Sequence, residues 1–195
     1  MILQAAKLAL AIYETEEVYR NVAWDLGLKF HSKSVHPVHQ WAAFENDTQM
    51  WVVHRGSDQL MDWLFDIFAV SEKFLSGKAH AGFLLAWNEI KQHVPKSNKE
   101  MIIVGHSKGG AIAQIQAAER VADQVITFNS PYVFDRYEAR AYTPPTSLYE
   151  IYGDLGTKLP LFYTKVNDPI KLESSLPMRQ RHGMTAMYEA LIRNA

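Results

Sequence analysis

The segment Met101-Ile102-Ile103-Val104-Gly105-His106-Ser107-Lys108-Gly109-Gly110 constrains this chain more than any other. Four consecutive apolar residues predict a short strand buried on both faces, as in a parallel sheet. Ala111, Ile112, Ala113, Ile115, Ala117 and Ala118 predict a helix running to about Arg120, and Val125-Ile126-Thr127-Phe128 supplies the next strand. Strand, helix and strand in that order imply a right-handed crossover and a sheet covered by helices on its faces. The expected fold class is α/β, with a mostly parallel central sheet.

The remaining segments fit this plan. Apolar positions over 2–13 recur at helical spacing, and residues 80–94 read as a helix ending near Pro95. Trp41 to Phe44 and Met50 to His54 flank a turn-like Glu45-Asn46-Asp47-Thr48 and read as paired strands. The apolar segments 148–152 and 161–166 are expected to add two more strands. With no repeat, linker or low-complexity tract, residues 1–195 are expected to form a single domain.

Charge and composition exclude several classes of function. Twenty basic residues stand against 21 acidic ones, scattered along the chain, which gives no electrostatic footprint for nucleic acid or an anionic membrane. Cysteine is absent, so covalent chemistry must use oxygen or nitrogen. No stretch approaches the roughly 20 apolar residues of a membrane span. The start, MILQAAKLALAIYETEE, lacks the pattern of a secretory signal. A cytoplasmic location is the expectation, with export by a route needing no such signal as the alternative.

Gly105-His106-Ser107-Lys108-Gly109 has the spacing Gly-x-Ser-x-Gly at a strand-to-helix turn, where sharp backbone angles push the serine hydroxyl outward. Ser107 is therefore the candidate nucleophile. A serine hydroxyl needs a base, and on this type of turn the chain order is serine, acid, histidine. Seven of the eight histidines lie at or before position 106, which leaves His182 as the base. Asp123, Asp135, Asp154, Asp168 and several glutamates all lie between the two. Asp168 is the best placed, because it directly follows the apolar segment 161–166, and functional groups gather on the loops at the carboxyl ends of parallel strands. Asp154, in Gly153-Asp154-Leu155-Gly156, resembles an ordinary turn residue. The backbone N–H of Lys108, which follows the nucleophile, is one candidate donor to a developing oxyanion.

Several segments together resemble the class 3, or fungal-type, lipase family of the α/β-hydrolase superfamily. They are His54-Arg55-Gly56-Ser57 with Asp62-Trp63 and Asp66, His80-Ala81-Gly82-Phe83, Gly105 to Gly110, and Thr127-Phe128-Asn129-Ser130-Pro131. Further along, Val166-Asn167-Asp168-Pro169 looks like the acid segment, and His182-Gly183-Met184 with Tyr188 looks like a short version of the histidine segment. The resemblance implies an α/β-hydrolase fold and a cofactor-free carboxylic ester hydrolase working through an acyl-enzyme. It also implies that Ser57 completes the oxyanion hole with Lys108. Two positions depart from the pattern. His54 stands for the usual aromatic and Lys108 for the commoner leucine; the Lys108 side chain reads as solvated, with contact to an anionic part of the substrate as the alternative.

Leu60, Met61, Trp63, Leu64, Phe65, Ile67, Phe68 and Val70 form an apolar stretch beside the proposed oxyanion donor, which reads equally as a lid over 58–70 or as a core helix. Trp63, Phe65 and Phe83 are the expected walls for an acyl chain. The expected partner is a small-molecule or lipid ester, with transient contact at a lipid surface. His36 and His39 are three apart but lack a third ligand nearby, so no metal is expected, and His54 and His80 read as structural. An acyltransferase, thioesterase or amidase on the same residues is the alternative, and a catalytically idle binding protein is the more distant one.

Overall fold

The computed structural model describes residues 1–34, 39–57, 70–120, 122–159 and 163–194. Strand β6 (Glu100–His106) lies at the middle of a seven-stranded sheet. The other members are β1 (Lys29–Lys33), β2 (Trp41–Glu45), β3 (Gln49–His54), β7 (Gln124–Phe128), β8 (Thr146–Ile151) and β9 (Ile170–Leu172), in the order β1-β2-β3-β6-β7-β8-β9. From β3 to β9 every neighbouring pair is parallel, and β1 and β2 add an antiparallel edge. The α/β architecture with a mostly parallel sheet is therefore present. The remaining two strands, β4 (Ser71–Phe74) and β5 (Gly77–His80), form a separate hairpin.

Two helical layers cover the sheet. Helix α4 (Lys108–Glu119) is the crossover from β6 to β7 and packs with α3 (Ala81–Ile90) on one face. Helices α1 (Ile2–Ala11), α2 (Glu16–Asp25) and α6 (Met184–Arg193) cover the other. A short helix, α5 (Arg136–Ala141), begins at Asp135, whose carboxylate accepts the Tyr137 and Glu138 amides. Alternation along the strands divides the core. Ile102, Val104, Ile126 and Phe128 face α1 and α6, while Ile103 and Val125 face Trp87, Ile90 and Ile112. Buried on both sides, β6 carries an unbroken apolar run where a half-exposed strand would alternate.

One sequence expectation is corrected. Of the segment 161–166, the first two residues lie outside the described part, and among the described residues 163–166 no strand forms, Thr164 making only an isolated bridge to Phe134. The last strand of the sheet instead begins at Ile170, so Asp168 approaches β9 from its amino end. Among the described residues no helix is long and apolar enough to cross a membrane.

Candidate active site

The site is built on the corner between β6 and α4. Ser107 has φ 57° and ψ −127°, one of three non-glycine residues with positive φ among those described. Its N–H donates to the Phe128 carbonyl at 2.9 Å, and its carbonyl accepts from Gly110 N–H at 2.8 Å. The backbone is thus anchored on both sides of the strained residue. The flanking glycines follow from crowding: a Cβ at Gly105 would collide with the Gly109 backbone, and one at Gly109 with the His54 carbonyl. Any side chain at either position would force the corner open.

The imidazole of His182 meets this corner from the loop before α6. Its Nε2 lies 2.8 Å from Ser107 Oγ, and its Nδ1 lies 2.7 Å from Asp154 Oδ2. A carboxylate accepts only, so Nδ1 carries the proton and Nε2 is free to accept from the serine hydroxyl. Asp154 is almost wholly buried, and its other oxygen accepts Gly156 N–H at 2.9 Å. The sequence-derived pairing of Ser107 with His182 is present in the geometry.

Asp168 is not the acid beside that imidazole. Among the described residues Asp154 is the carboxylate in contact with His182. The physical reason is strand direction. β8 runs parallel to β6 and β7, so the chain leaving Ile151 emerges at the same end of the sheet as Ser107, and Asp154 follows immediately. Asp168, ahead of β9, instead lines a cleft with Tyr132, Glu150, Lys158, Lys165 and Lys171. There the Lys165 ammonium contacts Glu150, and burial brings its pKa down to about 7. A usable signal for Asp154 was its place just after the apolar segment 148–152. Gly156 is a second signal, since a Cβ there would lie 2.7 Å from His182 Nδ1.

The oxyanion candidates flank the corner. Lys108 supplies the first amide of α4, where N–H groups point out of the helix and the dipole favours negative charge. Ser57 follows Gly56, whose α-carbon abuts the elbow so closely that a Cβ would lie 3.0 Å from Ser107 Cβ. Gly56 N–H donates to Tyr13 Oη at 2.9 Å, Tyr13 O–H donates to His106 Nδ1 at 2.7 Å, and His106 Nε2–H donates to the His182 carbonyl at 2.7 Å. Tyr13 and His106 thereby tie the Ser57 loop to the His182 loop. Sequence reasoning missed both, and Tyr13, in the turn after the first helix, carried no local sign of it. Burial holds His106 neutral, with its pKa lowered to about 3, chiefly by desolvation and then by the neighbouring His182. Burial also lowers the pKa of the Lys108 ammonium.

The substrate-wall expectations fare differently. Trp63 and Phe65, with the whole of the expected lid apart from Val70, lie outside the described residues. Phe83 is corrected: it is fully buried in the core with Trp87 and Ile112, and so offers no open wall. His36 also lies outside the described residues. His39 is buried against His54, Nε2 to Nδ1 at 3.1 Å, and His54 Nε2 in turn reaches Gln116 Oε1 at 2.6 Å. Among the described residues no group of three His, Asp or Glu side chains is placed to hold a metal.

Comparison with known proteins gives the chain its relatives. Residues 51–153, more than half of the length, match the family Lipase (class 3). A triacylglycerol lipase whose catalytic centre is a serine-protease triad superposes with a TM-score of 0.72 at 16% identity, covering 90% of this chain and 79% of that one. The triacylglyceride lipase of Rhizomucor miehei gives 0.68 at 18% identity, over 90% and 79%. A lipase from Rhizopus microsporus var. chinensis gives 0.70 at 16%, over 88% and 72%. The α/β-hydrolase fold is common to them.

Proposed function

We propose a serine-based mechanism for this chain, which belongs to the class 3 lipase family and is a carboxylic ester hydrolase. Ser107 Oγ attacks the ester carbonyl carbon while His182 Nε2 takes its proton. Asp154 holds the imidazole in the tautomer that can do so and stabilises the imidazolium without accepting the proton. The tetrahedral oxyanion is met by the Lys108 amide and the Ser57 N–H, one such donor being worth about 3 to 4 kcal/mol. Collapse breaks the bond to the alcohol oxygen, which leaves with the proton from His182. Water, deprotonated by the same imidazole, then attacks the acyl-enzyme and releases the carboxylic acid. The observation that supports this reading is the pair of hydrogen bonds at 2.8 and 2.7 Å that runs from Ser107 through His182 to Asp154.

The substrate we infer is a neutral ester with an apolar acyl chain, taken up from a lipid surface. Tyr152 and Leu155 on either side of Asp154 in the chain, and Met178 shortly before His182, are large apolar side chains more than half exposed, next in sequence to the acid and the base. The near-balanced charge of the chain offers no pull on an anionic bilayer, so such contact would be hydrophobic. A fluorophosphonate probe tests the mechanism, since only an activated serine reacts quickly. Rapid labelling of the wild type that is lost in Ser107→Ala and in His182→Ala is expected. Labelling that survives Ser107→Ala would sink the assignment. A p-nitrophenyl ester series from acetyl to palmitoyl, with and without vesicles, tests the substrate class.

A further inference from the structure

Asn129 stands where β7 ends, fully buried and with φ +48°, a left-handed conformation that asparagine tolerates better than most residues. Its side chain bridges two segments. Oδ1 accepts the Ile151 N–H at 3.0 Å, while Nδ2 donates to the carbonyls of Arg181 at 2.9 Å and His182 at 3.1 Å. The partners fix the orientation of the amide, since a backbone N–H needs the oxygen and two carbonyls need the NH₂. Its own N–H donates to Tyr149 O at 2.8 Å, also on β8.

We propose that Asn129 is a positioning residue that sets the reach of His182 toward Ser107 and Asp154. Ile151 is the last residue of β8, and the chain from it leads straight to Asp154. His182 lies in irregular chain between a 3-10 turn (Met178–Gln180) and α6, so no helix or strand hydrogen bonds fix its backbone. One amide therefore references the acid-bearing strand end and the base-bearing loop to each other. The His182 carbonyl is held a second time by His106 Nε2, which orients the same peptide from the β6 side. Reacting groups displaced by about 1 Å can cost roughly a hundredfold in rate, so a clamp on the histidine's own peptide bears directly on turnover.

The proposal rests on the assignment of Ser107, His182 and Asp154, and the experiment keeps the two apart. Asn129→Gly retains the left-handed backbone and deletes both halves of the amide. Asn129→Asp retains an oxygen for Ile151 N–H but turns a carboxylate on two carbonyls. Ile90→Val, in the core of α3 and away from the site, serves as the stability control. Both Asn129 variants are expected to lose about ten- to a hundredfold in kcat at pH 8 with KM within about threefold, and fluorophosphonate labelling of Ser107 should slow by the same factor. Near-UV circular dichroism reports whether each variant is folded in the assay, and should Asn129→Gly not fold, Asn129→Asp decides. A folded variant that keeps kcat and labelling rate within about twofold of the wild type overturns the proposal, as does an Ile90→Val loss equal to that of Asn129→Gly. Failure of the wild type itself to label at Ser107 would instead strike the underlying mechanism.

Discussion

Gly156 shows how closely a single residue can govern the site. A methyl group there would lie 2.7 Å from His182 Nδ1, where the imidazole meets Asp154. Gly156→Ala is therefore expected to push the ring off its hydrogen bonds and lower kcat by about ten- to a hundredfold, with the urea midpoint less affected. The acid gives a sharper contrast. Asp154→Asn should reverse the favoured tautomer of His182 and lower kcat by roughly 10⁴-fold, whereas Asp168→Asn should stay within about twofold in a single-turnover assay. Equal loss in both would refute the assignment of Asp154. At this scale the sequence was uneven. Ser107 could be read from the glycines around it, and His182 from being the one histidine downstream. Asp154 was passed over because Gly-Asp-Leu-Gly looks like any turn. Its meaning comes from the direction of β8, and local spacing does not carry that.

Among the elements, β6 and α4 were legible because a strand covered on both faces must be apolar throughout, and a helix pressed between layers must be small and apolar on most sides. The same rule also reads 161–166 as a strand, whereas its described residues, 163–166, do not join the sheet. β9 escaped notice for the opposite reason, since only Leu172 of its three residues is buried and the segment carries no periodicity. The hairpin of β4 and β5 was hidden in the same way, with one or two buried positions in each strand. Ile112, fully buried where α4 meets the sheet, lies in the core that props up the elbow. Ile112→Ala should cost about 2 to 5 kcal/mol of unfolding free energy, read from urea titration at constant m-value. A cost below about 1 kcal/mol would mean that the helix can settle into the void.

For the molecule as a whole, three interior histidines tie stability to pH. His39 and His54 stack on one another, and His106 lies under the site. All are fully buried and neutral, with burial the main cause of lowered pKa values, about 4 for His54 and about 3 for His106. An unfolded chain protonates these rings near pH 6.5, so it binds more protons than the native state below that value. Their contribution to stability is complete above about pH 6.5 and is lost as pH falls toward the folded values. Each ring gives a slope of about 1.4 kcal/mol per pH unit in that window. Urea midpoints measured from pH 7.5 to pH 4.5 should fall steeply, and His54→Gln should flatten the slope. A flat profile in the wild type would mean these rings can charge inside the fold.

Strand order carries a further consequence. Ser107 leaves β6, Asn129 leaves β7 and Asp154 leaves β8, three consecutive ribs of one parallel array. Backbones two ribs apart are separated by roughly 10 Å. A five-membered ring with a short contact at each end is about the right size to bridge that gap, which makes the pleated framework a gauge for the proton-transfer distance. Any variant that slips or spreads these ribs would detune all three partners together, however well each side chain is preserved.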